Sequence, residues 1–292
     1  MKIVVNPEYS SISDFIETLP EIFDKKGEII YRARNLIKEF EVEGLKIAVK
    51  SFKIPHLLNR IVYTFFRKSK AARSYLHGLG ILNRGFATPV PIAYLETYKY
   101  GLLHRSFYVS IYDKEKETVR CLMANNDNED TVEKLKYFTR YIAEMHNAGI
   151  LHIDLSPGNI LMSKGDDGIY LFSILDINRL AFKHHISRKE ALHNFERLCL
   201  SEEISTQIAK FYAGERDWNE KEVTTEINEY SDAFFLRICF HNARKQIRKE
   251  EGLFKSLFGP VMEFKRTKNV ERKRALYDKY LKDHDIRNLI KI

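Results

Sequence analysis

The apolar residues of this 292-residue chain follow two different periods. In the first part, short runs rich in β-branched and aromatic residues predict strands at 28–31, 36–42, 45–52, 92–95 and 106–112. Glu43 and Gly44 join the second and third runs, as the central residues of a tight hairpin would. A basic helix is predicted between the strands, over about 57–82. This order indicates an antiparallel sheet with one main helix.

After residue 112 the period changes to that of helices. Five apolar residues recur at spacings of three and four: Val132, Leu135, Phe138, Ile142 and Met145. Gly149 lies just past the end of this predicted helix. The fold class that both patterns indicate is α+β, with a β-rich N-terminal lobe at 1–112 and a mostly helical C-terminal lobe at 113–292.

Candidate chemistry follows directly after this helix, in the segment 152–159. His152, Asp154 and Asn159 form H-x-D-x-x-x-x-N, and a second acid, Asp176, ends an apolar strand a short interval later. Phosphoryl transfer needs such a set, because one carboxylate takes the proton of the attacking hydroxyl while an amide oxygen and another carboxylate hold Mg²⁺. The pattern predicts Asp154 as the catalytic base, and Asn159 and Asp176 as Mg²⁺ ligands beside ATP. A capped turn uses the same residue types, but the flanking helix and strand favour catalysis.

His152 is expected to organise this loop by packing and hydrogen bonding. It is not expected to bind a metal, since no second His or Cys stands at ligand spacing.

Lys50 ends the run at 45–50, in which charged and apolar residues alternate. A lysine at the end of such a strand reaches the α- and β-phosphates of ATP. Lys46 and Lys53 remain alternatives for that role. No G-x-G-x-x-G motif is present, and the hairpin at 31–40 offers basic and amide side chains in its place, with Arg34 and Asn35 expected at the nucleotide.

Over residues 32–179 the chain resembles the bacterial lipopolysaccharide core kinases, the family that includes the Kdo and heptose kinases within the protein-kinase-like superfamily. The resemblance rests on IAVK, SKAARSY, GFATPVPIAY, HNAGILHIDLSPGNIL and LDINRL. It implies a two-lobed protein-kinase-like fold and ATP-dependent phosphorylation of a sugar hydroxyl in the lipopolysaccharide inner core. The acceptor would be a glycolipid at the cytoplasmic face of the inner membrane.

One departure from better-known kinases concerns the lysine. No acidic residue lies between Ser51 and Leu95, so the usual glutamate partner of Lys50 is missing. Either Asp176 alone orients Lys50, or the activity is weak or absent. A pseudokinase that binds nucleotide but transfers little is therefore one alternative.

Other departures concern the acceptor side of the cleft. Ser156 stands where protein kinases usually have a lysine, and no A-P-E follows Asp176. Arg179 and Arg188 are placed to bind phosphate groups of a substrate. The short segment before the helix predicted near Ser187 favours a small-molecule or glycolipid acceptor, while a small atypical protein kinase is the remaining alternative.

Charge adds a candidate partner. The net charge is +8, and residues 237–292 alone hold 16 Lys or Arg against 7 Asp or Glu. This basic C-terminal region would attract an anionic inner-membrane surface, with Phe254, Leu257 and Phe258 as a shallow anchor unless they are packed. Charge is the only feature that suggests nucleic acid, so none is expected.

Three distant cysteines without a C-x-x-C pair, and no apolar stretch of roughly 20 residues, predict a cytoplasmic protein. The family resemblance and the basic C-terminal region add the expectation of peripheral contact with the cytoplasmic face of the inner membrane.

Overall fold

A computed structural model describes residues 1–112, 116–123, 129–199 and 201–284. The chain forms two compact units. The first contains Met1–Thr118, Ala148–Asp154 and Gly158–His184, and the second contains Val119–Asn147, Leu155–Pro157 and His185–Ile292. The lobe boundary predicted at 112 adjoins residues 113–115, which lie outside the described part, and it stays a prediction.

An antiparallel six-stranded sheet forms the centre of the first unit. Its strands are β1 (Lys2–Val5), β2 (Glu28–Arg32), β3 (Leu36–Val42), β4 (Leu45–Ser51), β5 (Pro91–Lys99) and β6 (Leu102–Ile111). Their order is β1-β5-β6-β4-β3-β2. Five strands confirm the predicted runs, although β5 and β6 are longer, and β1 was not predicted. Glu43 and Gly44 both have positive φ, 50° and 77°, as a two-residue hairpin of this kind requires.

Helices cover both faces of this sheet. They are α1 (Ser13–Ile22), α2 (Leu57–Ile61) with a π-helical turn at Val62–Phe66, and α3 (Lys70–Leu82). Ile47 and Val49 of β4 lie in one core cluster with α1. Phe52, just beyond β4, lies in a separate cluster with α3. Because side chains alternate along a strand, Lys50 is on the α3 face of the sheet.

The basic helix predicted over 57–82 is therefore two helices rather than one. The break falls at residues 67–69, where Ser69 begins α3 as its N-cap and its hydroxyl accepts a hydrogen bond from the Ala72 amide. A serine in this position stabilises a new helix start.

The remaining strands of the first unit carry the candidate chemistry. They are β7 (Glu117–Thr118), β8 (Ile150–His152), β9 (Ile160–Lys164), β10 (Tyr170–Ile174) and β11 (Leu180–Phe182). One small sheet has the order β10-β9-β7, and the other pairs β11 with β8. Gly149, with φ of 72°, precedes β8 and approaches β11 so closely that an added Cβ would lie 1.9 Å from the Lys183 carbonyl oxygen. Asp154 follows β8, and Asp176 follows β10.

The second unit is helical. Its helices are α4 (Glu129–Asn147), α5 (Arg188–His193), α6 (Glu202–Arg216), α7 (Glu220–Glu251), α8 (Leu253–Phe258), α9 (Pro260–Arg266) and α10 (Val270–Tyr280). The helix predicted from the apolar spacing before Gly149 is α4. Phe254, Leu257 and Phe258 of α8 are exposed rather than packed. Among the described residues, no helix is both long and apolar enough to cross a lipid bilayer.

Candidate active site

Lys50 and Asp176 form the centre of the candidate site. The Lys50 ammonium donates a 2.7 Å hydrogen bond to Oδ1 of Asp176, and the two residues are 126 positions apart in the chain. Asn178 also donates to Oδ1. Burial by itself would raise the pKa of Asp176, but the Lys50 charge and these hydrogen bonds hold it below its ordinary value. The carboxylate therefore stays ionised, and both of these bonds use its Oδ1.

The backbone of Asp176 is unusual for a residue with a side chain. Its φ is 49°, in the left-handed region that aspartate tolerates better than most residues. Such a conformation is sparsely populated and persists where the surrounding structure holds it. Here the Ile174 amide binds the Ala87 carbonyl, and the Leu175 amide binds the Asn159 carbonyl, just before the turn.

His152 links the two acidic loops. Its Nε2 lies 2.9 Å from the Leu175 carbonyl oxygen, so this nitrogen carries the proton. Its Nδ1 accepts the backbone N–H of Asp154 at 3.2 Å. Burial lowers the pKa of His152, against the opposing effect of the Leu175 bond and of the Asp176 and Asp154 charges. A neutral, buried imidazole thus joins the segment before Asp176 to the loop of Asp154.

Asp154 and Asn159 are joined within the same loop. The Asn159 side-chain nitrogen donates to the Asp154 backbone oxygen at 2.9 Å, which leaves the amide oxygen of Asn159 turned away from that bond. The Leu175 amide binds the Asn159 carbonyl at 2.7 Å, so Asn159 is tied to the segment that carries Asp176. Carboxylate and amide oxygens are the ligands that Mg²⁺ takes in phosphotransferases. The donor set of Asn159 and Asp176 fits that ion.

Arg179 lies beside the predicted base. Its guanidinium is 3.4 Å from Oδ2 of Asp154, and it is about half exposed. The Arg179 carbonyl also accepts the Ile153 amide, since β11 pairs with β8 at this point. The pairing of these two strands thus places a cation next to the catalytic loop.

A basic cavity of about 230 Å³ lies in the same unit. Arg34, Lys53 and Lys70 contribute to its lining, together with Phe52 and Tyr63. The ammonium groups of Lys50 and Lys70 both lie over the Phe52 ring, at 5.4 and 6.0 Å from its centre. The cavity therefore adjoins the Lys50–Asp176 pair.

Lys70 is a cation in a cationic environment. Burial lowers its pKa, and the charges of Arg34, Arg179 and Arg73 lower it further, while Asp176 opposes them. No carboxylate in the described part of the chain pairs with its ammonium at salt-bridge distance. Like charges held together in this way favour binding of an anion such as a nucleotide phosphate.

The remaining predicted residues, on the hairpin and on the acceptor side, have different surroundings. Arg34 lines the cavity near Lys70, whereas the Asn35 side chain accepts the Lys53 amide at 3.3 Å and so closes the loop beside the hairpin. Ser156 lies in the short segment Leu155–Pro157, assigned to the second unit. Arg188 is also in the second unit and donates to Glu226 at 2.8 Å, so it serves a structural ion pair.

Two residues of the site were not predicted from the sequence. Asn178 was not predicted, although D-x-N after a strand commonly makes a local hydrogen bond. Lys70 follows the N-cap Ser69 at the start of a helix, within the stretch 51–95 that contains no Asp or Glu.

The comparisons with known proteins give a family and a fold. A model of the lipopolysaccharide kinase (Kdo/WaaP) family matches residues 67–230, more than half of the chain. A search of curated proteins gives no match. A solved structure described as WaaP in complex with acyl carrier protein is similar, with a TM-score of 0.55 and 14% identity, over 80% of this chain and 99% of that one. At that identity the likeness concerns the fold, and it confirms the predicted kinase-like fold class.

Proposed function

The chain belongs to the lipopolysaccharide kinase (Kdo/WaaP) family, and on that premise we propose that the residues around Lys50 and Asp176 bind ATP and transfer its terminal phosphoryl group to a sugar hydroxyl. As a member of this family the protein is a kinase that acts on the lipopolysaccharide core. The observation that carries the residue assignment is the 2.7 Å Lys50–Asp176 ion pair, in a unit that also holds Asp154 and Asn159.

Asp154 takes the proton of the attacking sugar hydroxyl in this proposal. Its loop is held by His152 and Asn159, which bond to its backbone amide and carbonyl. Position 156, where protein kinases usually have a lysine, is a serine in this chain. Arg179 supplies a positive charge beside Asp154 in its place. Such a cation stabilises negative charge that develops on the transferring group.

Lys50 and Lys70 bind the phosphates of ATP from the α3 face of the sheet, with Arg34 on the hairpin above the same cavity. Asn159 and Asp176 would hold Mg²⁺. When bound, this ion neutralises charge on the phosphates and aligns them with the acceptor. The lysine does not need a glutamate on α3, because Asp176 already orients its ammonium group.

The acceptor is proposed to be presented at the cytoplasmic face of the inner membrane. The basic region 237–292 and the exposed Phe254 and Phe258 of α8 support contact with an anionic surface. Exposed apolar and basic groups are what a peripheral protein needs for such contact.

The experiment that tests this function compares lipopolysaccharide from cells with and without the gene by mass spectrometry. We expect the core to lose one phosphate when the gene is absent, and to regain it when the wild-type gene is restored. A gene carrying Asp154→Ala should not restore it. Cores of identical mass with and without the gene would contradict the proposed acceptor, and full restoration by the variant would contradict the proposed base.

A further inference from the structure

The helical segment after β4 exposes apolar side chains to solvent. Six residues at positions i, i+1, i+4, i+5, i+8 and i+9 make up this apolar face: Leu57, Leu58, Ile61, Val62, Phe65 and Phe66. All six are exposed, with Phe66 at 81%, Leu58 at 78% and Phe65 at 67%. In a helix these positions lie along one side. A continuous apolar surface of this kind marks an interaction site.

The polar side of the same segment faces the protein. Arg60 donates from Nε to the Leu103 carbonyl at 2.8 Å and from its guanidinium to the Lys99 carbonyl at 3.0 Å. The Thr64 hydroxyl accepts the Leu103 amide at 2.9 Å and donates to the Arg60 carbonyl. A helix on a water-exposed surface normally buries its apolar side and shows its polar side. Here the arrangement is reversed, so the segment is anchored by hydrogen bonds with its apolar face outward.

Basic residues surround the apolar face. Lys53, His56, Arg67 and Lys68 are exposed at its two ends. The stretch 51–95 contains seven Lys or Arg and no Asp or Glu. A protein surface that lacks acids around an apolar stripe is complementary to an anionic lipid surface, where each well-placed cation contributes about 1 kcal/mol.

An exposed aromatic residue extends this surface. Tyr100 is 89% exposed and belongs to the turn between β5 and β6, next to the Lys99 carbonyl that Arg60 binds. Tyrosine is enriched where protein meets the headgroup region of a membrane.

We propose that the apolar face inserts into the headgroup and acyl boundary of an anionic membrane and docks the first unit there. This inference rests on the proposed function, since a lipid-linked acceptor requires the kinase at the membrane. It adds a docking element outside the basic region 237–292. A lipid surface fits better than a protein partner, because a ten-residue segment is small beside the 20–30 residues per side of a stable protein interface.

Co-sedimentation of the full chain with vesicles tests this inference. Wild type should bind vesicles of phosphatidylcholine mixed with phosphatidylglycerol, and bind phosphatidylcholine alone much more weakly. The triple variant Leu58→Ser, Phe65→Ser, Phe66→Ser should lower the partition coefficient at least about tenfold, because three apolar side chains no longer leave water. The matched control is Ile29→Ser, Ile169→Ser, Leu171→Ser, three exposed apolar residues of the first unit outside the apolar face, and it should change the coefficient by less than about threefold.

A single tryptophan reports insertion without removing the apolar face. Trp218 is the only tryptophan of the chain, so Phe66→Trp in a Trp218→Phe background gives one probe. Its fluorescence should shift to the blue on vesicle addition and be quenched by lipids brominated in the acyl chain. No shift and no quenching would overturn the proposal, as would a triple variant that binds like wild type.

Two other occupants give distinct results. If light scattering shows a dimer that the triple variant dissociates, a second copy covers the apolar face and the proposal is wrong. If the full chain does not bind vesicles and an acidic protein instead covers the apolar face, the occupant is a protein partner and the proposal is wrong. Phosphoryl transfer to acceptor dispersed in detergent should be unchanged in the triple variant. If wild type itself transfers no phosphate to this acceptor, the proposed function is wrong instead. The two failures are therefore distinguishable.

Discussion

The Lys50 ammonium is bonded to the Asp176 carboxylate at 2.7 Å. In better-known kinases the corresponding lysine pairs with a glutamate on the helix that follows its strand. The helix α3 offers no acid, and its first residue is instead Lys70. Nucleotide phosphates would therefore meet two lysines and Arg34 on this side of the site. The ion pair explains how Lys50 is oriented although the stretch 51–95 lacks a glutamate.

Removal of the Lys50 charge tests this pair. Lys50→Ala should weaken ATP binding at least about tenfold, because a hydrogen bond between charged groups contributes roughly 1.5–3 kcal/mol. Lys46→Ala is the matched control, since Lys46 lies on the same strand and is exposed. Calorimetric titration with ATP and Mg²⁺ measures both. Equal weakening by the two variants would show that a general loss of positive charge, rather than the Lys50 contact, is responsible.

Lys70 is predicted to contact the nucleotide as well. Lys70→Gln should raise the dissociation constant of ATP several-fold at low ionic strength, and salt should reduce the difference, because the interaction is electrostatic and partly exposed. Lys99→Gln, at an exposed lysine at the end of β5, should have little effect. A Lys70→Gln protein that binds ATP like wild type at every salt concentration would remove Lys70 from the site.

Gly149 is predicted to contribute strongly to stability. Its φ is 72°, and a Cβ would lie 1.9 Å from the Lys183 carbonyl oxygen, a backbone atom that cannot rotate away. Gly149→Ala should therefore destabilise the protein by more than the roughly 1–2 kcal/mol of left-handed strain alone.

The control is Gly85→Ala, with φ of 79° and no atom within 4 Å of its Cβ, which isolates the strain. Urea unfolding compares the two variants. Equal losses would mean that the β8–β11 contact adjusts without cost.

Burial of His146 should make the free energy of unfolding depend on pH. It is buried between Tyr212 and Asn194, and burial lowers its pKa to about 4. The unfolded chain takes up this proton near pH 6.5, whereas the folded chain does so only near pH 4. The free energy of unfolding is therefore highest above pH 6.5. As the pH falls to about 4, this residue lowers it by about 3 kcal/mol.

His146→Gln keeps a hydrogen-bonding side chain but has no proton to take up in this range. Its free energy of unfolding should fall less steeply between pH 6.5 and 4 than that of wild type. His184→Gln, at an exposed histidine, should follow the wild-type curve. Parallel curves for wild type and His146→Gln would contradict the assignment.

Strands and the catalytic loop were predictable because their signals are local. The alternation in β3 and β4, the Glu43–Gly44 turn and the H-x-D motif each occupy a few consecutive residues. The helix α1 was not predicted, and it contains Pro20, a residue that disfavours the interior of a helix. Packing of its apolar side against the sheet overrides that preference.

Long-range relations were beyond the sequence. Nothing local indicates that the charges of Arg34 and Arg179 lower the pKa of Lys70, or that Asn35 bonds to the Lys53 backbone, because both depend on how separate elements pack. The single helix predicted over 57–82 missed the break at Ser69, although a serine N-cap is a local signal. The exposure of the apolar face at 57–66 could not be predicted either, because an apolar stripe on a helix is normally packed against the core.

The most direct measurement follows Mg²⁺-dependent ATP binding and phosphoryl transfer in parallel for wild type, Asp154→Ala and Asp176→Ala. We predict that Asp154→Ala binds ATP within about threefold of wild type but transfers phosphate at least about a hundredfold more slowly, as loss of a general base requires. Asp176→Ala should lose both Mg²⁺-dependent binding and transfer. An Asp154→Ala protein that transfers phosphate as fast as wild type would contradict the account.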